Sequence, residues 1–384
     1  HWRTHKMSQT KVEAPFVEGG GGTNFKNLII NGNFDIAQRS TSAVTAGNGT
    51  YTTVDRWKTF TGNLGGAYTT QQKTNSLADN ATTGQQRYLE IKCTSTDSSV
   101  DSNAYSMVRQ HVEASPYLQS KLRYGTSDAQ KLTLSFWIKT NLTGTHSMSW
   151  YYNGSTDGGT TYYYPFNFTV SSADTWEKKI ITIPAPPTSY GSINVGATAA
   201  TGGLLNINLQ IGANYQDPAG SWTGNVAYAS EDVPNFFTST DNNILITAIQ
   251  LEVGDDASDF EYIPFDVQLQ RCMRYCNVMN GVGGGNYGTL APGYVTASTQ
   301  GYFTVVHPVP MRAAPSESTS ADSDFVLADG SGSSIATTGI AVNQGGTDRT
   351  LILATVSSGL TAGRGSAMLF NNKTTATLTL DAEL

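Results

Sequence analysis

Charge is scarce in this chain. Of 384 residues only 14% are Asp, Glu, Lys or Arg, against 38% hydrophobic. Helical bundles draw heavily on Glu, Lys, Arg and Leu, so the composition argues against them. Positive charge is also outnumbered, 23 Lys and Arg to 30 Asp and Glu, for a net charge of −7. A surface that neutralises phosphates would have the opposite sign, which argues against a nucleic-acid partner. Cysteine is nearly absent. Cys93, Cys272 and Cys276 do not make a disulfide framework, and the chain reads as made in a reducing cytoplasm. Cys272 and Cys276 lie one helical turn apart, but no second pair follows at metal-ligand spacing, so they read as packing residues. No run of about 18 apolar residues occurs, so no membrane span is expected. The first residues lack a charged-then-apolar signal pattern. Met7 opens a stretch that reads as a natural start, and residues 1–6 are set aside from the fold.

What replaces charge is Thr, Ser, Asn and Gly, together with 10% aromatic residues. Hydroxyl-bearing and aromatic side chains suit strands, Gly and Asn suit turns, and the aromatics are enough to fill a core. The chain alternates accordingly. Leu132, Leu134, Phe136 and Ile138 share one face of a strand, and Leu205, Ile207, Leu209 and Ile211 share another. Similar short runs appear at Leu28–Ile30, Tyr88–Cys93, Met148–Tyr152, Tyr162–Val170, Trp176–Ile183 and Ile244–Val253. Many short strands with Gly and Asn turns predict an all-β jelly-roll β-sandwich over residues 25–262. Residues 1–24, with four consecutive glycines at 19–22, read as a flexible N-terminal arm. Residues 263–285 read as a helical connector, with Asp266 as N-cap, followed by a Gly-rich linker. Residues 286–384 return to strands and turns and predict a smaller C-terminal β-domain.

No catalytic constellation stands out. Metalloprotease, phosphate-loop and nucleophile-elbow motifs are missing. Glu90, Asp157, Asp174 and Glu177 are acids on which a glycosidase pair would draw, yet strand-edge acids are usually just solvated. The expectation is a protein that is not an enzyme and requires no cofactor. Aromatic clusters carry more information. Trp150, Tyr151 and Tyr152 face Tyr162, Tyr163 and Tyr164 across a Gly-rich loop containing Asp157. Exposed rings stack on the apolar faces of sugars while nearby polar groups bond hydroxyls, which makes these seven residues the candidate glycan ligands. The competing reading is cross-strand packing, inside the sandwich or at a subunit interface. Trp57, Trp137 and Trp176 sit in strand patterns and read as core. Asp35 and Glu252, in the first and last strands of the sandwich, are candidate Ca²⁺ ligands.

Several segments in order resemble a family of phage fibre and virion proteins. They are Asn27 to Phe34 with Gln38-Arg39, then Asp55-Arg56-Trp57, then Ile249 to Gly254 with Asp259-Phe260-Glu261, Cys272 to Tyr275, and Pro310 to Pro315. Leu132 to Lys139 and Trp176 to Ile183 resemble strands of jelly-roll carbohydrate-binding modules. The resemblance covers roughly residues 27–315. It implies a tail or head fibre of a bacteriophage virion, made in the host bacterial cytoplasm. It further implies assembly as a homotrimer, docked to other virion proteins through the N-terminal arm and recognising host surface polysaccharide. The alternatives are a purely structural decoration or connector, and a glycan-degrading spike. The motifs themselves read as scaffold, with Asn31-Gly32 supplying a tight turn and Asp55 and Arg56 tying strand ends.

Overall fold

The computed structural model describes residues 25–154, 160–195, 201–281, 287–330 and 334–384. Twelve strands build the first unit. They are β1 (Val44–Thr45), β2 (Thr50–Tyr51), β3 (Lys58–Gly62), β4 (Ala67–Thr74), β5 (Arg87–Ser95), β6 (Tyr105–Glu113), β7 (Leu132–Thr140), β8 (Gly144–Asn153), β9 (Thr161–Val170), β10 (Glu177–Ile183), β11 (Thr201–Ile211) and β12 (Asn243–Val253). They form two six-stranded antiparallel sheets, ordered β1-β4-β5-β12-β7-β10 and β2-β3-β6-β11-β8-β9. The predicted alternation sets the core. Leu89, Ile91, Leu132, Leu134, Phe136 and Ile138 from the first sheet meet Val108, Met148, Trp150, Leu205, Ile207 and Leu209 from the second. The jelly-roll sandwich is thus present. Two short helices are additions to the predicted elements: α1 (Leu77–Thr83), capped by Ser76, and α2 (Pro116–Leu122), capped by Ser115. Each cap side chain accepts from a backbone N–H in the first turn, the usual N-terminal signal.

Leu28–Ile30 is not a strand. Asn side chains stand in for a ladder there. Asn27 donates to the Ile249 carbonyl (3.0 Å) and accepts from Leu251 N (3.0 Å). Asn31, at φ 59°, accepts from Ile36 N and donates to the Ile36 and Asp55 carbonyls. The positive φ of the predicted Asn31-Gly32 turn therefore belongs to Asn31. Gly32 is required for a different reason, since a Cβ there would lie 2.0 Å from the Ile249 carbonyl oxygen. Ile249 N donates to the Gly32 carbonyl (2.8 Å) at a bulge where Ala248 takes φ 52°. That bulge explains why the inward positions of β12 switch from Ile244 and Ile246 to Ile249 and Leu251.

The connector helix α3 (Phe265–Met273) begins after Pro264, with Asp266 in its first turn instead of at the cap. It is shorter than expected, because the chain is back in strand at β13 (Cys276–Asn280). Then follow β14 (Thr289–Ala297), β15 (Gln300–Val306), β16 (Ser316–Thr319), β17 (Phe325–Ala328), β18 (Ser334–Gly345), β19 (Arg349–Val356), β20 (Gly365–Phe370) and β21 (Thr377–Asp381). Strands β14-β15-β19-β18-β17-β20 close a small barrel, and β13-β21-β16 make a three-stranded sheet. Phe303, Phe325, Leu327, Ile352 and Met368 fill this second core.

The motif residues meet where the two units join. Gln38 Nε2 donates to the Cys276 carbonyl (2.8 Å). Arg39 pairs with Asp381 (2.8 Å) and Arg56 with Glu383. The Arg56 guanidinium also lies 3.5 Å over the Tyr275 ring and donates to the His111 carbonyl. Arg312 donates to the Ala382 and Glu383 carbonyls (2.7 and 2.9 Å). Arg274 makes a two-pronged pair with Glu113, joined by the Tyr275 hydroxyl. Burial pushes Glu113 up, but the bonds from Arg274 and Tyr275 outweigh it and hold the carboxyl below its ordinary range. Cys93, Cys272 and Cys276 are buried free thiols. Among the described residues no three His, Cys, Asp or Glu side chains are grouped to hold a metal.

Two tests follow from this junction. Removing one partner of a buried ion pair strands the other charge and costs about 3–5 kcal/mol. The side chains of Arg56 and Glu383 are only 1% and 3% exposed, so Glu383→Ala is expected to lose that much in urea unfolding, far more than Lys131→Ala at the exposed Lys131–Asp255 pair. Asp55 gives a pH signature. Burial pushes its carboxyl up from 3.8 to about 6, with Arg39 and the bonds from Gln38 pulling the other way. A folded-state value above the unfolded one means stability is whole below about pH 4 and lost as pH rises through about 6. Wild-type unfolding free energy is therefore expected to fall across that window by an increment missing in Asp55→Asn; identical profiles would refute the assignment.

Candidate functional site

β8 and β9 pair in register, with Trp150 opposite Tyr164, Tyr151 opposite Tyr163 and Tyr152 opposite Tyr162. Period two then sorts the six rings between the faces. Trp150, Tyr152, Tyr162 and Tyr164 point inward and belong to the main core. Trp150 and Tyr152 are fully buried, at 0% exposure. Tyr152 packs against Tyr124 (4.9 Å between ring centres) and Trp222 (5.7 Å), and Tyr162 stacks on Tyr190 at 4.0 Å. These four rings offer no face to a sugar, which corrects the expectation for them: cross-strand packing is their role. Asp157 lies outside the described residues.

Tyr151 and Tyr163 point to the other face and meet at 4.8 Å. There they join rings that sequence reading did not connect. Tyr163 touches Tyr228 (6.0 Å), Tyr228 touches Tyr215 (5.3 Å) and Tyr105 (6.0 Å), and Tyr105 stacks on Phe60 (4.8 Å). Arg109 sits at the centre of this arc. Its guanidinium lies 3.7 Å over Phe60 and 5.6 Å from Tyr228. It is 4% exposed, donates to Met107 Sδ, and forms no ion pair among the described residues. Cation–π contact replaces part of the lost hydration. Phe60, Tyr105, Tyr151, Tyr215 and Tyr228 are half-buried, so each ring is held by a neighbour and keeps part of its surface open.

Residues 212–235 fold across this face and hold the arc in place. Thr223 exchanges two backbone bonds with Tyr163, and Gly220 N donates to the Pro165 carbonyl. Ser230 N donates to Ser147 Oγ (2.8 Å), and Asn208 Nδ2 donates to the Tyr228 carbonyl (2.6 Å). Beneath lie buried amides with capacity to spare. Asn206 and Asn208 each keep an unpartnered Oδ1, and Gln210 has neither amide atom partnered. Burial pushes the Tyr151 phenol up to about 12 and also raises Tyr228, Arg109 opposing in both cases, so both remain hydroxyl donors at neutral pH. The face therefore combines ring surfaces, neutral hydroxyls, amides and one unpaired cation. Phe60, Tyr105, Arg109, Tyr215 and Tyr228 were missed because β3, β6 and the segment 212–235 contribute them and no local spacing links these three.

Of the acids considered for catalysis, Glu90, Asp174 and Glu177 are among the described residues. Glu90 lies 3.6 Å from Lys73 in the first sheet. Glu177 pairs with Lys179 and accepts from Ser171 N and Ser172 N, while Asp174 occupies a turn at φ 54°. The proposed Ca²⁺ ligands are also occupied separately. Asp35 accepts from Asn33 Nδ2, and burial raises its carboxyl. Glu252 accepts from Gln250 Nε2, Ser258 N and Ser258 Oγ. The two carboxylates share no hydrogen-bond partner. Trp57 and Trp176 are buried as expected, and Trp137 is half-buried.

The assignment of faces has a direct test. Trp150→Ala should cost about 3–5 kcal/mol, the range for a large core ring. Tyr151→Ala, next in sequence but on the half-open face, should cost about 1–2 kcal/mol. Denaturant unfolding of both variants checks the difference, and equal losses would contradict the register.

No protein-family model and no curated protein matches this sequence. Among solved structures, the enzymatically active domain of bacteriophage CBA120 tailspike protein 4 aligns at 14% identity with TM-score 0.28, covering 60% of this chain and 22% of that one. The chain thus spans about a fifth of that tailspike domain. The family 11 carbohydrate-binding module from Clostridium thermocellum, in complex with a β-1,3-1,4-mixed-linked tetrasaccharide, aligns at 12% identity with TM-score 0.27, covering 57% of this chain and 99% of that one. The module TmCBM61, in complex with β-1,4-galactotriose, aligns at 10% identity with TM-score 0.27, covering 59% and 98%.

Proposed function

We propose that this chain is a non-enzymatic appendage protein of a bacteriophage particle whose jelly-roll sandwich grips a glycan on the host surface. The observation that carries the reading is the aromatic arc from Tyr151 to Phe60 around Arg109, on the outer face of the second sheet. Half-open rings supply stacking surfaces for pyranose faces, and their phenols supply hydroxyl partners. In this reading the motifs that resemble phage fibre proteins do a separate job. They form the junction between sandwich and barrel, where Arg39, Arg56 and Arg312 hold the segment Asp381–Glu383. Trimeric assembly belongs to the same proposal, and no cofactor is required for it. A second reading, a structural part without a ligand, draws support from residues 212–235, which already lie against the arc.

The experiment is adsorption competition with purified protein added to host cells before the virus. Binding and competition by the wild type, with at least a tenfold loss in a Tyr151→Ala/Tyr228→Ala variant that is still folded at the assay temperature, supports the glycan grip; tenfold corresponds to about 1.4 kcal/mol for two rings. Full competition by that double variant would assign the arc to packing and favour the structural reading.

A further inference from the structure

Away from the arc, a cavity of about 210 Å³ opens where α2 and α3 meet the end of β6. Its lining includes Arg271, His111, Glu113, Tyr275, Phe25 and Tyr117. Three neighbouring guanidinium groups each have an anionic or carbonyl partner, Arg56 in Glu383, Arg274 in Glu113 and Arg312 in backbone carbonyls, although Arg56 Nε is left without one. Arg271 differs. It forms no ion pair among the described residues, and its Nη1 is enclosed without a partner. The ring of Phe25, 5.2 Å away, is its neighbour. Burial lowers the Arg271 pKa below its ordinary value, and the attraction of Glu261 and nearby groups does not make up for it. A second enclosed atom on the same lining, His111 Nε2, also lacks a partner. His111 is kept neutral, first by burial and then by the surrounding cations Arg109, Lys58, Arg56 and Arg312.

We infer that this cavity is a binding site for a single carboxylate carried on a sugar-sized ligand, a hexuronic acid being the matching class. The planar fork of Arg271 suits a carboxylate, which accepts two parallel N–H bonds. One negative charge is what the site is short of, because Glu113 is already neutralised by Arg274 and the Tyr275 hydroxyl. A dianion would place a surplus charge beside Glu113. The rim supplies the sugar contact. Phe25 and Tyr117 are 47% and 55% exposed, and open aromatic faces beside a cation stack on the apolar side of a pyranose. The volume fits one sugar residue and not a chain. The site shares no ring with the aromatic arc and does not depend on it.

The test is calorimetric titration of the full chain with D-glucuronate, D-glucose and inorganic phosphate. Glucuronate is expected to saturate one site and to bind at least about tenfold tighter than glucose or phosphate, that is by about 1.4 kcal/mol. Arg271→Gln should abolish that preference, and Tyr117→Ala, which alters an exposed ring and leaves the fold alone, should weaken glucuronate while sparing the charge. Tyr228→Ala, on the arc, should leave it unchanged, so failure of the arc as a glycan site would not be mistaken for failure here. Absence of saturable glucuronate binding overturns the proposal. So does equal binding by Arg271→Gln, or equal affinity for phosphate, which would mark a site that reads charge alone.

Discussion

A guanidinium withdrawn from water has to recover its lost hydrogen bonds from protein, and Arg56 recovers most of them, all but that of Nε, from both halves of the molecule at once. Its side chain is 1% exposed and held by the Glu383 carboxylate, the Tyr275 ring and the His111 carbonyl. Those partners come from the last residues of the barrel unit, the connector and β6. None of them is a sequence neighbour of Arg56, so its burial is tolerable only when sandwich, connector and C-terminal segment are all in place. Arg39 and Arg312 hold the same segment from either side. Buried charges of this kind add little net stability but penalise every arrangement that leaves them unpaired. The pairings at the junction therefore favour one arrangement of the two units.

The same logic separates the two kinds of aromatic residue. On the inner face, Trp150 and Tyr152 are consumed by core packing, where a fully enclosed ring contributes most and can do nothing else. On the outer face no second sheet arrives. Residues 212–235 cover it only partly, and the rings support one another around Arg109. A half-covered polar and aromatic face, resting on a rigid jelly roll, is a surface on which recognition can be built without disturbing the fold beneath it. Placing a site on strands instead of on loops also limits how far its rings can drift.

Much of the architecture was legible. Alternation in Leu132–Ile138 and Leu205–Ile211 placed those residues inward, and they are inward. The jelly-roll sandwich and the return to strands after the connector were also readable, because burial of one face imposes period two on every strand. Local rules failed where side chains took over from the backbone. Leu28–Ile30 has a strand composition but is held by Asn27 and Asn31, and α1 and α2 are too short to show helical periodicity. The candidate site was half legible. The runs Trp150–Tyr152 and Tyr162–Tyr164 do form an aromatic cluster, yet only Tyr151 and Tyr163 turn to the outer face, and Tyr163 is buried there.

By itself, then, the sequence determined the fold class and the inward faces of most strands, since each depends on spacing along one strand or turn. Tertiary structure alone decided which side of the second sheet stays open and which rings gather there. Phe60, Tyr105, Arg109, Tyr215 and Tyr228 are scattered over some 170 positions and meet only because the sheet order places β3 beside β6 and the segment 212–235 folds back across that sheet. Likewise, nothing in the order of residues distinguishes Arg271 from Arg56 or Arg274. The difference is whether a carboxylate from a distant part of the chain arrives beside each one, and that is settled by packing.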